Sequence, residues 1–150
     1  MIVRSFNESD REIFLKLCGD FYSTHATLSP FNKNVANKTF DMVLAKHENL
    51  WGYLMFDKEC LEPIGYSLIT SYWCNEEGGN ILVLDELFIV ENDRHKGYAT
   101  LFMEWLEENF KDKAVAITLE VLTTNVNACH LYQKEGFKPD GFTTYTKELK

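Results

Sequence analysis

Positive charge is what this sequence is short of: 15 Lys and Arg stand against 23 Asp and Glu, a net charge of −8 over 150 residues. That field opposes non-specific attraction to nucleic-acid phosphates and anionic lipid, so neither is an expected partner, whereas a cationic substrate is compatible with it. Acidity of this size also serves solubility alone. Cys18, Cys60, Cys74 and Cys129 show no short paired spacing, and the N-terminus has no charged region leading into an apolar core and a cleavage site. Reduced thiols and a cytoplasmic location are the expectation, and the Asn37-Lys38-Thr39 sequon then reads as accidental. No apolar run approaches the roughly 20 residues that cross a bilayer; the longest, Ile81 to Val90, is broken by Asp85 and Glu86. His25, His47, His95 and His130 are dispersed, with no carboxylate or thiol spaced as in a metal site, so no metal is expected.

What is present is a sequence with 45% hydrophobic and 14% aromatic residues, enough to bury a substantial core in one domain over residues 1–150. Ile2 to Phe6 alternates like a short strand, and Ser9 with Glu12 has capping-box spacing ahead of a helix carrying Ile13, Phe14, Leu17 and Phe21. A polar stretch through His25, Ser29, Pro30 and Asn34 separates it from a second helix with Phe40, Val43 and Leu44. That connection suits either a plain surface loop or the wall of a substrate pocket. Trp51 to Phe56, Ile64 to Trp73 and Ile81 to Val90 read as a meander of antiparallel strands, with Asn75 to Asn80 as a hairpin connection. Gly97 to Phe110 places Leu101, Phe102, Trp105, Leu106 and Phe110 at helical spacing. The apolar Ala114 to Leu122 follows, so strand, helix and strand make a βαβ unit with parallel pairing. A last helix over Asn125 to Lys134 stops at Gly136, and Phe142 to Thr146 is a candidate final strand.

The run Arg94, His95, Lys96, Gly97, Tyr98, Ala99, Thr100 falls between a strand and a helix, where free backbone N–H groups attract anions. Gly97 and Ala99 keep bulk away from the backbone, and Arg94 and Lys96 add positive charge in an acidic chain. A solvated turn would show the same residues. The run is neither a Walker A loop, which ends in glycine, lysine and serine or threonine, nor a GxGxxG dinucleotide fingerprint.

These residues resemble the acetyl-CoA motif of the GNAT superfamily of N-acetyltransferases: Arg or Gln, two residues, Gly, one residue, Gly or Ala, occupied by Arg94, Gly97 and Ala99. His95 stands where many members have a further glycine. Downstream, Asn125, Ala128, Leu131, Tyr132, Gly136 and Phe137 match the family's second motif in order and spacing. The resemblance covers about residues 81–137. It implies an α/β (mixed α+β) fold in which helices flank a central, mixed, twisted sheet whose fourth and fifth strands splay to admit the pantetheine arm of CoA. It implies acetyl-CoA as co-substrate. It also implies that the Leu87 N–H receives the acetyl oxygen, that Ile89, beyond Phe88, pairs with pantetheine, that Asn125 hydrogen-bonds CoA and that Tyr132 protonates the departing sulfur. Tyr132 has core packing as its competing role, and Asn125 an ordinary N-cap.

Acetyl transfer also needs a neutral amine. Asp85 and Glu86 interrupt the most apolar strand, where a charge is costly unless paired, hydrogen-bonded or exposed to a cleft. Either carboxylate is a candidate base, a binding group for a cationic substrate, or a structural partner, and Glu120 is a further candidate. Regular alternation would send Asp85 and Glu86 to opposite faces, and a bulge would spoil that count. Cys129 reads as a small packed residue, so transfer is direct. The expected activity is acetylation of a primary amine on a small molecule such as a polyamine or amino sugar. A protein lysine or N-terminal amine is the alternative acceptor, and a non-catalytic acyl-CoA sensor is the alternative of another class. A homodimer, common in the resembled family, would find an interface on the aromatic strands.

Overall fold

The computed structural model describes residues 1–24, 26–59 and 61–149, so the readings that involve His25 and Cys60 lie outside the described residues. The strands are β1 (Ile2–Ser5), β2 (Leu50–Phe56), β3 (Pro63–Cys74), β4 (Gly79–Ile89) and β5 (Ala116–Leu119), and the helices are α1 (Arg11–Ser23), α2 (Lys33–Leu44), α3 (Tyr98–Phe110) and α4 (Val126–Lys134). The strands form one sheet in the order β1-β2-β3-β4-β5. The first three pairings are antiparallel and β4 with β5 is parallel, as the βαβ reading requires. No described helix is long and apolar enough to cross a membrane.

The sheet separates two cores. On one face, Phe6, Phe14, Phe40 and Tyr66 pack with ring centroids 4.9–5.7 Å apart and hold α1 and α2 against β2, β3 and β4. Aromatic contacts of this kind add about 0.5–1.5 kcal/mol each beyond the burial of their area. On the other face, Phe102, Met103, Leu106 and Phe110 of α3 are buried against Met55, Ile69, Leu82 and Leu84. Leu101, expected on that apolar stripe, is instead 42% exposed, and Met103 takes the inward place.

Two local expectations are corrected. The capping box is not Ser9 with Glu12 but Asn7 with Asp10, at the 3-10 turn that leads into α1. The Asn7 N–H donates to Asp10 Oδ2 at 2.7 Å and the Ser9 N–H to Asn7 Oδ1 at 3.0 Å. Asp10 is favoured because it also receives Arg4 in a bidentate pair at 2.6 and 2.9 Å. Residues Phe142 to Thr146 form no strand; Phe142 and Tyr145 are 80% and 92% exposed. Alternation alone does not make a strand where no neighbouring strand supplies hydrogen bonds and a core face. The Gly136 stop is present, with φ +91° just beyond α4.

The register of β4 positions everything that follows. Leu68 faces Glu86 and Ile69 faces Leu84, which leaves Asp85 unopposed as a β-bulge. Leu82 and Leu84 point into the α3 core, and after the bulge Leu87 and Ile89 do so as well, so the facing parity switches from even to odd at Asp85. Glu86 and Phe88 are thereby sent to the α1/α2 face. Parallel pairing with β5 ends at Leu84 with Leu119, while β4 continues to Ile89. From Asp85 onward, the backbone groups of β4 that would face β5 look into a gap.

Candidate active site

At the α3 end of the gap stands the turn expected to bind an anion. His95 has φ +61° and Gly97 has φ +83°, and this alternation turns successive N–H groups toward one side. Histidine tolerates positive φ better than most side chains, which suits it to a place where glycine is the easier choice. A Cβ on Gly97 would meet no protein atom within 4 Å. Glycine is therefore favoured by the backbone conformation and not by any protein neighbour. Gly97 is the N-cap of α3 and supplies no side-chain cap, so the first-turn N–H groups at Tyr98, Ala99 and Thr100 remain for an anion.

The flanking charges are less free than the sequence implied. Lys96 Nζ lies 2.8 Å from Asp93 Oδ1, so much of its charge is compensated locally. Arg94 donates Nε to the Ile89 carbonyl at 3.0 Å, and its guanidinium sits 5.5 Å from the Phe88 ring centroid. Arg94 thus joins the turn to the end of β4 and occupies the carbonyl of Ile89, one of the groups expected to meet pantetheine. The Tyr98 hydroxyl bonds Asp57 in the β2–β3 connection, and Thr100 Oγ1 donates to Glu135 Oε1 at 2.5 Å, which ties the start of α3 to the end of α4.

Helix α4 lies beside the α3 core, where Tyr132 packs with Phe137 at a centroid distance of 5.8 Å. Burial, with Cys129 a smaller contributor, raises the Tyr132 pKa, so the phenol holds its proton across the neutral range. Leu87 and Ile89 pack against the same core, so Tyr132 and the β4 residues that border the gap lie on one face of the sheet. Asn125 is the N-cap of α4: its Oδ1 accepts from the Ala128 N–H at 3.3 Å. That leaves its NH2 as the half that can donate to a ligand.

On the opposite face, Glu86 is buried, with Oε1 accepting from the Tyr22 hydroxyl at 2.9 Å and Oε2 from the Tyr66 hydroxyl at 2.7 Å. Desolvation raises its pKa; the hydrogen bonds from Tyr66 and Tyr22 oppose the shift, and nearby Asp85 adds to it. Asp85 itself is exposed at the fork, its pKa raised by partial desolvation and by Glu120. The two carboxylates are thus separated by the bulge: Asp85 stands with Glu120 at the split, and Glu86 closes the floor of a cavity of about 380 Å³ lined also by Phe14, Cys18, Tyr22 and Phe31. Burial pushes the Cys18 thiol up to about 12, which keeps it protonated and unreactive. Nothing in the sequence singled out Tyr22 and Tyr66. They lie 64 and 20 residues from Glu86, and only the bulged register brings all three together.

A forked sheet with uncapped N–H groups at the start of α3 and a protonated phenol on α4 has the parts that acyl transfer from a thioester calls for. Residues 12–137 match the Acetyltransferase (GNAT) family, and the chain belongs to that family. It is 24% identical, over 141 residues covering 93% of this chain and 86% of the relative, to the D-amino-acid N-acetyltransferase HPA3 of Saccharomyces cerevisiae. Among solved structures, a probable acetyltransferase superposes with a TM-score of 0.83 at 16% identity, covering 100% of this chain and 99% of that one. AAC(6')-Iy, in complex with the bisubstrate analogue CoA-S-monomethyl-acetylneamine, superposes with a TM-score of 0.79 at 12% identity, covering 99% and 97%. The protein is an acetyltransferase of the GNAT fold, a family whose enzymes use acetyl-CoA.

Proposed function

We propose that residues 1–150 act as one catalytic unit that moves the acetyl group of acetyl-CoA directly to the primary amine of a small molecule. The observation that carries this reading is the division of the site by β4. Its α3 and α4 side offers an anion cradle and a protonated tyrosine, and its α1 and α2 side offers a buried carboxylate at the floor of a cavity. The cradle and the gap fit a diphosphate and an extended arm. Arg94 to Thr100 would hold the diphosphate, with the Asn125 amide as a further donor, and the β4 backbone from Leu87 to Ile89 would face the acetyl end.

Acetyl-CoA supplies an activated acyl group. Glu86, directly or through a water, accepts the proton that the ammonium must lose, so that the amine lone pair can form the new C–N bond. The Leu87 N–H stabilises the charge that develops on the acetyl oxygen. Tyr132 then donates its proton to sulfur as the C–S bond breaks. Asp85 and Glu120, in the fork, favour a cation on its way in.

Acetylation of a D-amino acid, as the name of the yeast relative states for that protein, and of an aminoglycoside-like amine both fall within this class. The test is thiol release from acetyl-CoA against small amines, amino acids and lysine- or N-terminus-bearing peptides. Small amines are expected to turn over faster than peptides. Faster peptide acetylation would replace this reading, and acetyl-CoA binding without thiol release would make the chain a sensor.

A further inference from the structure

The cavity above Glu86 adjoins a second one of about 410 Å³; the two share Tyr22, Ser29, Pro30 and Phe31. Both volumes fall in the range of small-molecule sites. Their chemistry is lopsided. The walls carry the apolar Phe14, Phe31, Val35, Ala36 and Leu68 beside the neutral polar Ser29, Asn32 and Thr39, and Glu86 is the one carboxylate among the described lining residues. Each Glu86 oxygen already accepts one tyrosine hydroxyl and retains a lone pair for an N–H donor. Among the described residues, neither cavity is lined by Lys or Arg. Lys16 pairs with Asp20 at 3.0 Å and Arg11 with Asp41 at 2.6 Å, and Lys33 and Lys38, next in sequence to the lining residues Asn32 and Thr39, are not themselves lining residues.

We propose that the acceptor is a primary amine with a single charge, one aryl or branched alkyl substituent and no carboxylate. This rests on the acetyl-transfer reading above and specifies its substrate. The ammonium is drawn to Glu86, and the apolar substituent displaces water from the Phe31 and Val35 wall. An α-carboxylate on the same carbon would lie close to Glu86 with no Lys or Arg among the described lining residues, an arrangement penalised both by like-charge repulsion and by desolvation. The further ammonium groups of a polyamine would find no second carboxylate among the described lining residues, and the hydroxyls of an amino sugar would have to reach past the Phe31 and Val35 wall to Ser29, Asn32 or Thr39.

The test compares kcat/KM for phenethylamine, L- and D-phenylalanine, spermidine and glucosamine, by thiol release. It is run at pH 7.0 and at pH 8.5. Phenethylamine is expected to exceed each of the others by roughly 100-fold at both values. Phe31→Ala should cut the preference for phenethylamine over ethylamine by about tenfold while the calorimetric affinity for acetyl-CoA stays the same, a split that simple misfolding would not produce. Equal or faster turnover of phenylalanine, spermidine or glucosamine, at either pH, overturns the specificity proposal and leaves acetyl transfer standing. Absence of thiol release with every amine, with acetyl-CoA still bound, overturns both.

Discussion

Replacing Gly97 with alanine separates what the fold needs from what the ligand needs. The backbone there has φ +83°, a region that costs an L-residue about 1–2 kcal/mol. Sterically the protein is indifferent, since the added Cβ meets no protein atom within 4 Å. The expected loss of stability is therefore the backbone cost alone, and for a chain of 150 residues that lowers Tm by about 2–8 °C. Binding should suffer more. The methyl group stands beside the uncapped N–H groups of Tyr98 to Thr100, where a diphosphate must approach to hydrogen-bond distance. Losing one or two charge-assisted hydrogen bonds, at about 1.5–3 kcal/mol each, weakens acetyl-CoA at least tenfold. Calorimetric titration of acetyl-CoA into wild type and Gly97→Ala at 25 °C, with Tm measured on the same samples, checks both parts. Unchanged affinity beside the lowered Tm would show that the turn is not the diphosphate site.

Gly65→Ala should behave in the opposite way, because its Cβ would lie 2.1 Å from the Phe88 carbonyl oxygen, a backbone atom that cannot rotate aside; a loss of about 1–3 kcal/mol is expected in chemical denaturation. Tyr132→Phe removes the hydroxyl and keeps the ring against Phe137, so acetyl-CoA binding should persist while kcat falls about 10²-fold or more, read by single-turnover kinetics. Glu86→Gln should cut kcat/KM yet leave Tm at pH 8 equal to or above wild type. The raised folded-state pKa means that ionised Glu86 disfavours the fold at pH above that value, a penalty that disappears as pH falls below the ordinary 4.5. The same raised pKa places the acidic limb of the kcat/KM profile above pH 4.5, and Tyr66→Phe, by removing a hydrogen bond that favours the ionised form, should move that limb to higher pH.

Elements with a strong local period were legible in the sequence. The α3 stripe, the three meander strands, the Gly136 stop and the parallel crossover depend on neighbours within a few residues, or on a connection rule that few topologies can satisfy. Failures came where two local solutions compete, and a distant partner decides. Asn7 with Asp10 prevails over Ser9 with Glu12 because Arg4 on β1 neutralises Asp10, a contact that no helical pattern encodes. Phe142 to Thr146 has strand-like alternation, but its side chains remain exposed.

The carboxylate pair shows most clearly how function came to lie beyond the pattern. Alternation correctly warned that Asp85 and Glu86 cannot share a face of a regular strand, but could not assign the faces. One extra residue in β4 relative to β3 decides it. Without the bulge at Asp85, the parity set by Leu82 and Leu84 would carry Glu86 into the α3 core, where it would have Phe102 and Leu106 for neighbours and no hydroxyl to bond. With the bulge, the same residue reaches Tyr66 on β3 and Tyr22 on α1, two donors that offset the cost of burying a carboxylate. The bulge falls one residue beyond the last β4–β5 pair, so the irregularity that aims Glu86 lies beside the separation that makes room for an acyl donor. Restoring regular pairing by deleting Asp85 would therefore disturb both halves of the site together, whereas Glu86→Gln changes the chemistry of one half and leaves the register intact.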